Sequence, residues 1–402
     1  MNLEIAAFDL RHVTASFYEN PYPTYAALRS SAPVRQMPDG SFFLTRYADL
    51  DRVYRDTVTF SSDKKVEFKP KFGASPLYAH HTTSLVFNDP PLHTRIRRII
   101  AGALSPRAIT AIEPGLIALV DRLLERIAKQ GHADLIADFA ALIPVEVIGN
   151  LLGVPRADRA PLRGWSQAIL GALEPAPSIA MLDSGNQAVY EFLAYLQELV
   201  ADRRLHPGDP GRDVLTRLLV DERDGSRLSE SELLQNCIFI LNAGHETTAN
   251  LIGNGLQLLI EWPEQRRALC AEPELITTAV EEFLRFESSN QLGNRRATVS
   301  TELGGKTVPA GSLLTLCIGA ANRDPEQFER PDQLLLARKP NRHLAFGSGA
   351  HQCAGMLVAR LEAKTAIAHF LARFPDYRAT APPVRSGRVR FRGFISLPVE
   401  IG

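Results

Sequence analysis

The 402-residue chain has 45 basic and 45 acidic side chains, so its formal net charge at pH 7 is zero. This balance argues against a protein that binds nucleic acid through a broad basic face. Hydrophobic residues make up 45% of the chain and charged residues 22%, ordinary values for a globular protein, which excludes a chain that is disordered throughout.

The cysteines and the hydropathy of the chain bear on its compartment. The four cysteines form no CxxC pair, which predicts free thiols in a reducing environment. Residues 1–4 do not open a basic segment followed by an apolar one, and apolar stretches such as residues 313–321 are shorter than the roughly 18 residues of a membrane span. We therefore expect a cytoplasmic protein without a membrane partner.

The first predicted element is a small hairpin. Residues 34–36 and 42–44 are short apolar runs that flank Asp39 and Gly40. This dipeptide is typical of a tight type I′ turn between antiparallel strands.

A helix is predicted further along, at the start of a largely helical region that extends to about residue 290. Asp89 followed by Pro90 is typical of an N-cap with proline in the first turn. The predicted helix continues through His93 and Arg97.

The longest predicted helix begins at a capping box and crosses the middle of the sequence. Ser229 and Glu232 have the capping-box spacing, and helical patterning continues to about Glu261, before Trp262 and Pro263. About 33 residues at roughly 1.5 Å each give a helix of about 50 Å, long enough to cross a whole domain.

The pattern changes after residue 295. Residues 299–303 and 306–308 predict a second hairpin, residues 388–392 and 395–397 predict closing strands, and residues 354–373 predict a last helix. Between them lies a long irregular segment, residues 322–348. The expected fold is mainly α with small β-sheets (α+β), in a single domain over residues 1–402.

The segment that carries most chemical information is Phe-Gly-Ser-Gly-Ala-His-Gln-Cys-Ala-Gly, residues 346–355. Its glycines allow close approach to a flat group, and Cys353 directly precedes a predicted helix whose N-terminus favours a thiolate. A single cysteine at the start of a helix is usually a buried structural residue without a chemical role. The whole segment, however, resembles the haem-binding loop of the cytochrome P450 family. The resemblance implies that Cys353 is the axial ligand of the haem iron, a thiolate that favours O–O cleavage.

The long helix carries a second matching motif, Ala-Gly-His-Glu-Thr-Thr at residues 243–248. It resembles the family's oxygen-binding signature, which implies a kink at Gly244 and proton relay by Glu246 and Thr247. The same residues begin like a zinc-protease motif, but Ala249 stands where the second histidine ligand is needed. A polar patch on a helix face is the alternative, and the apolar flanks argue against it.

Glu282 and Arg285 match the family's ExxR motif and lie on one face of a helix. Glu264 and Arg267 have the same spacing. Position in the chain distinguishes the two pairs, because the family places the motif after the long helix and before an irregular segment. With Arg338, supplied by that segment, the resemblance implies a buried ion network that orders the cysteine loop and takes no part in catalysis.

The resemblance, which spans about residues 21–398, also implies a cofactor, haem b (iron protoporphyrin IX), and a set of residues that bind it. Arg296 adjoins Arg295 and is the alternative match to the family's propionate-binding arginine at this point. The cofactor-binding residues are His93, Arg97, Ala243, Gly244, Arg295, Phe346, His351, Cys353 and Gly355.

The resemblance therefore implies a soluble, bacterial-type monooxygenase that inserts one atom of O2 into an apolar small molecule. Since the chain leaves no room for a redox module, a separate ferredoxin or flavodoxin must supply electrons to an expected monomer. A basic docking patch is expected from Arg95, Arg98, Arg107 and Arg360. A peroxide-driven peroxygenase, a rearranging isomerase and a catalytically silent haem module are the alternatives; the first two usually lack the acid–threonine pair that this chain keeps.

The sequence does not identify the substrate. Pocket residues are expected in the segments 66–87, 171–180, 241–243, 292–294 and 394–395. Four lysines lie in or beside the first segment, at positions 64, 65, 69 and 71. They predict either a solvated surface loop or a site that attracts a carboxylate on the substrate.

Overall fold

The computed structural model describes residues 7–104, 106–210, 213–220 and 228–402. Within these ranges the architecture is dominated by helices, which confirms the expected mainly α fold with small sheets. In chain order the α-helices are α1 (Ala15–Glu19), α2 (Tyr22–Ser31), α3 (Tyr47–Arg55), α4 (Lys65–Phe72), α5 (Pro76–Thr83), α6 (Leu92–Ala103), α7 (Pro106–Gln130), α8 (Leu142–Leu151), α9 (Leu162–Gly171), α10 (Ile179–Leu205), α11 (Val214–Val220), α12 (Glu230–Glu261), α13 (Pro263–Ala271), α14 (Ile276–Phe286), α15 (Ile318–Ala321) and α16 (Met356–Arg373).

The strands are short and form small sheets. They are β1 (Val34–Gln36), β2 (Phe42–Leu44), β3 (Phe60–Ser61), β4 (His132–Asp134), β5 (Leu292–Ala297), β6 (Thr301–Leu303), β7 (Lys306–Val308), β8 (Leu313–Cys317), β9 (Arg378–Ala379), β10 (Val384–Arg385), β11 (Phe394–Ser396) and β12 (Pro398–Glu400). The largest sheet has the order β1-β2-β8-β5-β3, in which only β2 and β8 run parallel. A second sheet has the order β4-β12-β9, and β6-β7 and β10-β11 are separate pairs.

Helix α12 lies in the core of the molecule, as its length predicts. Ser229 is its N-cap and forms the complete capping box with Glu232. The helix packs against α8, α9 and α16, and most of its residues between Leu233 and Leu259 are buried. The helix is therefore enclosed by the rest of the protein over most of its length. No helix in the described ranges is long and apolar enough to cross a membrane.

Two predicted local features differ from the structure. The first hairpin pairs Val34 with Leu44 and Gln36 with Phe42, so its loop has five residues, not two; the Asp39 side chain accepts a hydrogen bond from the Ser41 amide there. Helix α6 begins at Leu92, not at Asp89. The Asp89 carboxylate accepts hydrogen bonds from the Ser61 hydroxyl and the Ser62 amide, so it joins β3 to the helix entry.

The C-terminal region contains the largest error of the sequence-based prediction. Residues 388–392 form no strand, only a single bridge between Phe391 and Asn290. Their peptide groups instead bond to side chains and loops, as described below. The β6–β7 hairpin, with Gly304 and Gly305 at positive φ, and the irregular segment 322–348 agree with the prediction.

Candidate functional site

A cavity of about 340 Å³ lies between α12 and the cysteine loop. Its wall contains every candidate cofactor-binding and catalytic residue except Glu246. In strand β5, Arg295 lines the cavity and Arg296 does not, so Arg295 is the arginine of this pair that can contact a bound cofactor.

The cysteine loop folds back on itself so that Cys353 faces the cavity. The Cys353 amide donates to the Phe346 carbonyl at 2.9 Å, and Gly347 and Gly349 adopt φ values of 65° and 68°. A Cβ on Gly349 would lie 2.7 Å from the Tyr54 carbonyl oxygen, so this loop can approach α3 only without a side chain there.

The thiol is not activated by the protein alone. Burial raises the pKa of Cys353, and the Gly355 amide, Arg97 and Arg360 oppose this shift without cancelling it. The sequence suggested that the start of α16 would favour a thiolate, but burial outweighs that contribution. A metal cation bound to the sulfur would supply the missing stabilisation of the thiolate.

A cluster of imidazole and guanidinium groups lines another part of the cavity. The rings of His93 and His351 lie with centroids 3.8 Å apart at an interplanar angle of 32°, and Arg97 and Arg295 line the same wall. Both ring nitrogens of His93, Nε2 of His351 and Nε of Arg295 are buried without a hydrogen-bond partner in the described part of the chain.

This cluster fits a ligand that carries carboxylates. Buried polar groups are normally bonded, so several unpartnered donors in one wall indicate a missing acceptor. Burial is the main reason that the pKa of His351 falls to about 2, and the charges of Arg295 and Arg97 also lower it. The two propionates of haem b would supply both the acceptors and the negative charge that this group of residues lacks.

The residues of α12 that line the cavity have the spacing expected for one face of a helix. Ala243, Gly244 and Thr247 line the cavity, and the Thr247 hydroxyl donates to the Ala243 carbonyl at 2.7 Å. The helix continues without interruption past Gly244. A Cβ on this glycine would lie 2.3 Å from Cδ1 of Ile148, so the glycine allows α8 to pack closely.

Glu246 faces away from the cavity. Its carboxylate accepts from Nη1 of Arg388 at 2.5 Å, and Nη2 of Arg388 donates to the Gln167 carbonyl. The second oxygen, Oε2, is buried without a described partner. Burial raises the pKa of Glu246 to about 7, although Arg388 opposes the rise. Sequence analysis did not identify Arg388, because it is 142 residues away from its partner.

The predicted ion network is present. Glu282 and Arg285 are fully buried and form a two-point pair with 2.8 Å hydrogen bonds, and Nε of Arg338 lies 3.0 Å from Glu282. Arg285 also donates to the carbonyls of Asn322 and Pro331 in the irregular segment. The network therefore fixes the segment that leads into the cysteine loop.

The remaining wall corrects the expected substrate pocket. Four of the five expected segments contribute to it, through residues 80, 81, 84–87, 173, 242–243 and 292–294. Residues 394–395 do not line it, and Arg390 and Phe391 do so in their place. None of the four lysines lines the cavity. Tyr54 and Arg390 are lining residues outside the expected segments, and only their place in the fold reveals them.

Comparisons with known proteins agree with this geometry. A family model described as Cytochrome P450 matches residues 178–375. The chain is 37% identical to a vitamin D(3) 25-hydroxylase of Pseudonocardia autotrophica over 97% of this chain and 96% of that protein. It is 35% identical to the cytochrome P450 monooxygenase PikC of Streptomyces venezuelae, over 98% and 94% of the two chains.

Solved structures give the same result. The crystal structure of P450BioI in complex with acyl carrier protein ligated to hexadec-9Z-enoic acid has a TM-score of 0.91 and 34% identity, covering 96% of this chain and 100% of that one. Myxobacterial CYP267B1 in complex with myristic acid has a TM-score of 0.89 and 33% identity, covering 98% of each chain. The extent of these matches, together with a cysteine loop and a long helix that share one cavity, establishes that the chain belongs to the cytochrome P450 family and is a haem-dependent monooxygenase of that family.

Proposed function

We propose that residues 1–402 form one haem-thiolate monooxygenase domain that inserts an oxygen atom from O2 into a largely apolar small molecule. The observation that best supports this proposal is that Cys353 and the Gly244–Thr247 face of α12 line one cavity. An iron ligand and a hydroxyl for proton transfer therefore have access to the same space.

Cys353 would hold the iron, and His93, Arg97, Arg295 and His351 would hold the propionates. Phe346 and Gly355 would contact the cofactor beside the cysteine, and Ala243 and Gly244 would contact it from α12. The bound haem supplies the redox chemistry that activates O2, and a thiolate ligand favours cleavage of the O–O bond.

Thr247 is proposed to deliver protons inside the cavity. Its hydroxyl can donate and accept, and among the described residues it bonds to the Ala243 carbonyl alone. A wall that is mostly apolar keeps bulk water away, so proton supply depends on fixed groups.

Glu246 is proposed to resupply those protons by changing its position. With a pKa raised to about 7, its carboxyl can gain and lose a proton near neutral pH. Because it is paired with Arg388 and faces away from the cavity, it must leave Arg388 before it can reach Thr247 through water. Arg388 thus holds the acid in its resting position.

Electrons are proposed to come from a separate ferredoxin or flavodoxin, and the protein is proposed to act as a cytoplasmic monomer. Of the expected docking arginines, Arg95 pairs with Glu232 and Arg360 pairs with Glu281. The side chain of Arg107 lies outside the described residues. Arg98, exposed on α6 beside the cavity-lining Arg97, is the docking residue that we favour.

The spectrum of the reduced carbon monoxide complex tests the cysteine assignment. Wild-type protein should give the red-shifted band of a thiolate-ligated haem, and Cys353→His should lose it. Cys270→Ser, a change at an exposed cysteine of α13 that does not line the cavity, is the matched control and should keep the band. A thiolate band in Cys353→His would disprove the assignment.

A peroxide-driven reaction is the second candidate, and the Glu246–Thr247 pair argues against it. Turnover with ferredoxin, reductase and NAD(P)H separates the two candidates. Product formed with peroxide but not with the electron-transfer chain would favour the peroxygenase.

A further inference from the structure

The loop 388–393 places one arginine side chain in the cavity wall. Glu174 accepts hydrogen bonds from the amides of Val389 and Arg390 at 3.0 and 3.2 Å. The Arg392 amide donates to the Ser289 carbonyl. With both of its ends tied to other elements, the loop holds Arg390 in a defined position against the cavity.

The guanidinium of Arg390 has no ion-pair partner among the described residues. Its three bonds go to neutral acceptors: the Leu173 carbonyl at 3.1 Å, the Leu292 carbonyl at 3.0 Å and the Asn294 side chain. A guanidinium has five N–H groups, so one N–H on each terminal nitrogen is left. Two buried arginines of this protein, Arg285 and Arg392, differ in that each contacts a glutamate.

Arg390 belongs to a different basic group from the residues proposed to hold the haem propionates. The first group consists of His93 and His351, whose ring centroids lie 3.8 Å apart, and of Arg97 and Arg295 in the same wall. Burial lowers the pKa of His81, and the nearby charges of Lys71 and Arg390 lower it further. The two basic regions adjoin each other, because Arg295 donates to the Asn294 carbonyl and Arg390 donates to the Asn294 side chain. The haem propionates would account for the first region, and the second is the one around Arg390, Lys71 and His81.

His81 adds an unpartnered polar group to the second region. Its side chain is buried in the cavity wall, and Nε2 has no partner in the described part of the chain. Phe68, Phe72 and Phe87 surround its ring. Burial lowers the pKa of His81 well below its usual value, so the ring is neutral and can donate one hydrogen bond.

The charges of this region do not balance. Lys64 is neutralised by Glu67. The Glu174 carboxylate then stands against two cations, Arg390 and Lys71, and the Lys71 ammonium donates to the Glu174 carbonyl rather than to its carboxylate. A buried charge without a counter-charge is costly, so a ligand that supplies one negative charge would be favoured there.

We propose that Arg390 and His81 bind the carboxylate of the substrate, so that the preferred substrates are apolar carboxylic acids. This inference rests on the proposed function, because it uses the cavity that also holds the haem. A carboxylate matches the single excess charge and accepts hydrogen bonds in the plane that a guanidinium offers. The anchor is thus an arginine of the C-terminal loop and not the lysines that the sequence suggested.

The test compares straight-chain acids from octanoic to hexadecanoic with their methyl esters. Binding is measured by the spin-state shift of the haem and, independently, by calorimetry. Wild-type protein should bind each acid about tenfold or more tightly than its ester, and Arg390→Met should lose that preference while ester affinity stays unchanged. Arg390→Lys should keep part of it. Lys69→Met removes one charge from the lysine-rich segment outside the cavity wall and should behave like wild type.

Three results would overturn the proposal. Equal binding of acid and ester to wild-type protein excludes a carboxylate anchor. An equal loss of both ligands in Arg390→Met means that the arginine only packs against Leu173 and Asn294. A loss of haem with the acid preference intact assigns Arg390 to the cofactor. Failure of the monooxygenase proposal is distinct, since wild-type protein would then lack the thiolate band altogether.

Discussion

At the scale of single residues, Thr247 and Glu246 are adjacent in sequence but face different surroundings. Thr247 lines the cavity, whereas Glu246 is paired with Arg388 on another side of α12. Successive residues of an α-helix point about 100° apart, so adjacency in the motif does not bring the two side chains together. Their proposed cooperation requires movement of the acid, and the two residues should therefore give different phenotypes.

Thr247→Ala should separate oxygen consumption from product formation. The change removes the cavity hydroxyl and leaves Cys353 and its loop untouched, so haem content and the carbon monoxide spectrum should not change. Product per NAD(P)H should fall severalfold, and the missing electrons should be recovered as hydrogen peroxide. Thr248→Ser is the control, since it keeps a hydroxyl at the neighbouring position. If Thr247→Ala formed as much product per NAD(P)H as wild type, the threonine would have only a packing role.

Glu246→Gln should slow turnover and change how stability depends on pH. Because burial raises the carboxyl pKa from 4.5 to about 7, the folded state holds this proton more tightly than the unfolded state. The stability that results is complete below pH 4.5 and is lost as the pH rises towards 7. Between pH 6 and pH 8, the free energy of unfolding of Glu246→Gln, measured in urea, should therefore rise by about 1 kcal/mol relative to that of wild type. A constant difference across this range would contradict the raised pKa.

At the scale of elements, the ion network around Glu282 joins α14 to the irregular segment before the cysteine loop. Glu282→Gln leaves Arg285 and Arg338 with an uncompensated buried charge, which typically costs about 3–5 kcal/mol. The variant should retain little haem, as measured by the ratio of haem to protein absorbance. Glu264→Gln, in the exposed pattern with the same spacing, should retain wild-type haem content. Equal haem content in both variants would contradict an ordering role.

Local signals predicted the elements well, and long-range contacts limited the prediction elsewhere. The capping box of Ser229 and the Trp262–Pro263 stop directly flank α12, so the bounds of this helix could be predicted from local sequence. Residues 388–392 alternate like a strand, but Glu174 binds two of their amides from another part of the chain. The Arg388 and Arg390 contacts depend on that loop, so neither contact could be predicted from a local pattern.

The same limit applies to the site. Cys353, Thr247 and the Glu282 network belong to motifs with fixed spacing, so the sequence could single them out; in the structure Cys353 and Thr247 line one cavity and the network forms. The four lysines were considered because they are close in sequence, yet Lys64 pairs with Glu67 and Lys65 with Asp63. Packing determines whether a lysine of this segment reaches the cavity, and packing cannot be deduced directly from a local sequence pattern.

At the scale of the whole molecule, zero net charge leaves a redox partner to recognise local basic residues. Arg98→Glu should slow reduction by a ferredoxin about tenfold at low ionic strength, because long-range attraction mainly affects the association rate. The carbon monoxide spectrum should stay unchanged, and added salt should reduce the difference. Lys306→Glu, on the separate β6–β7 hairpin, is the matched change of charge. Equal slowing by both variants would mean that overall charge, not a docking patch, governs the encounter.

The spread of the cavity wall along the chain, from Tyr54 to Phe391, has a consequence for biosynthesis. A ribosome that has synthesised the chain as far as Cys353 has provided the proposed iron ligand but not Arg390 or Phe391, which also line the cavity. A nascent chain halted between these points would leave the cofactor open to solvent on that side. We therefore expect stable haem capture only after the C-terminal loop has been synthesised.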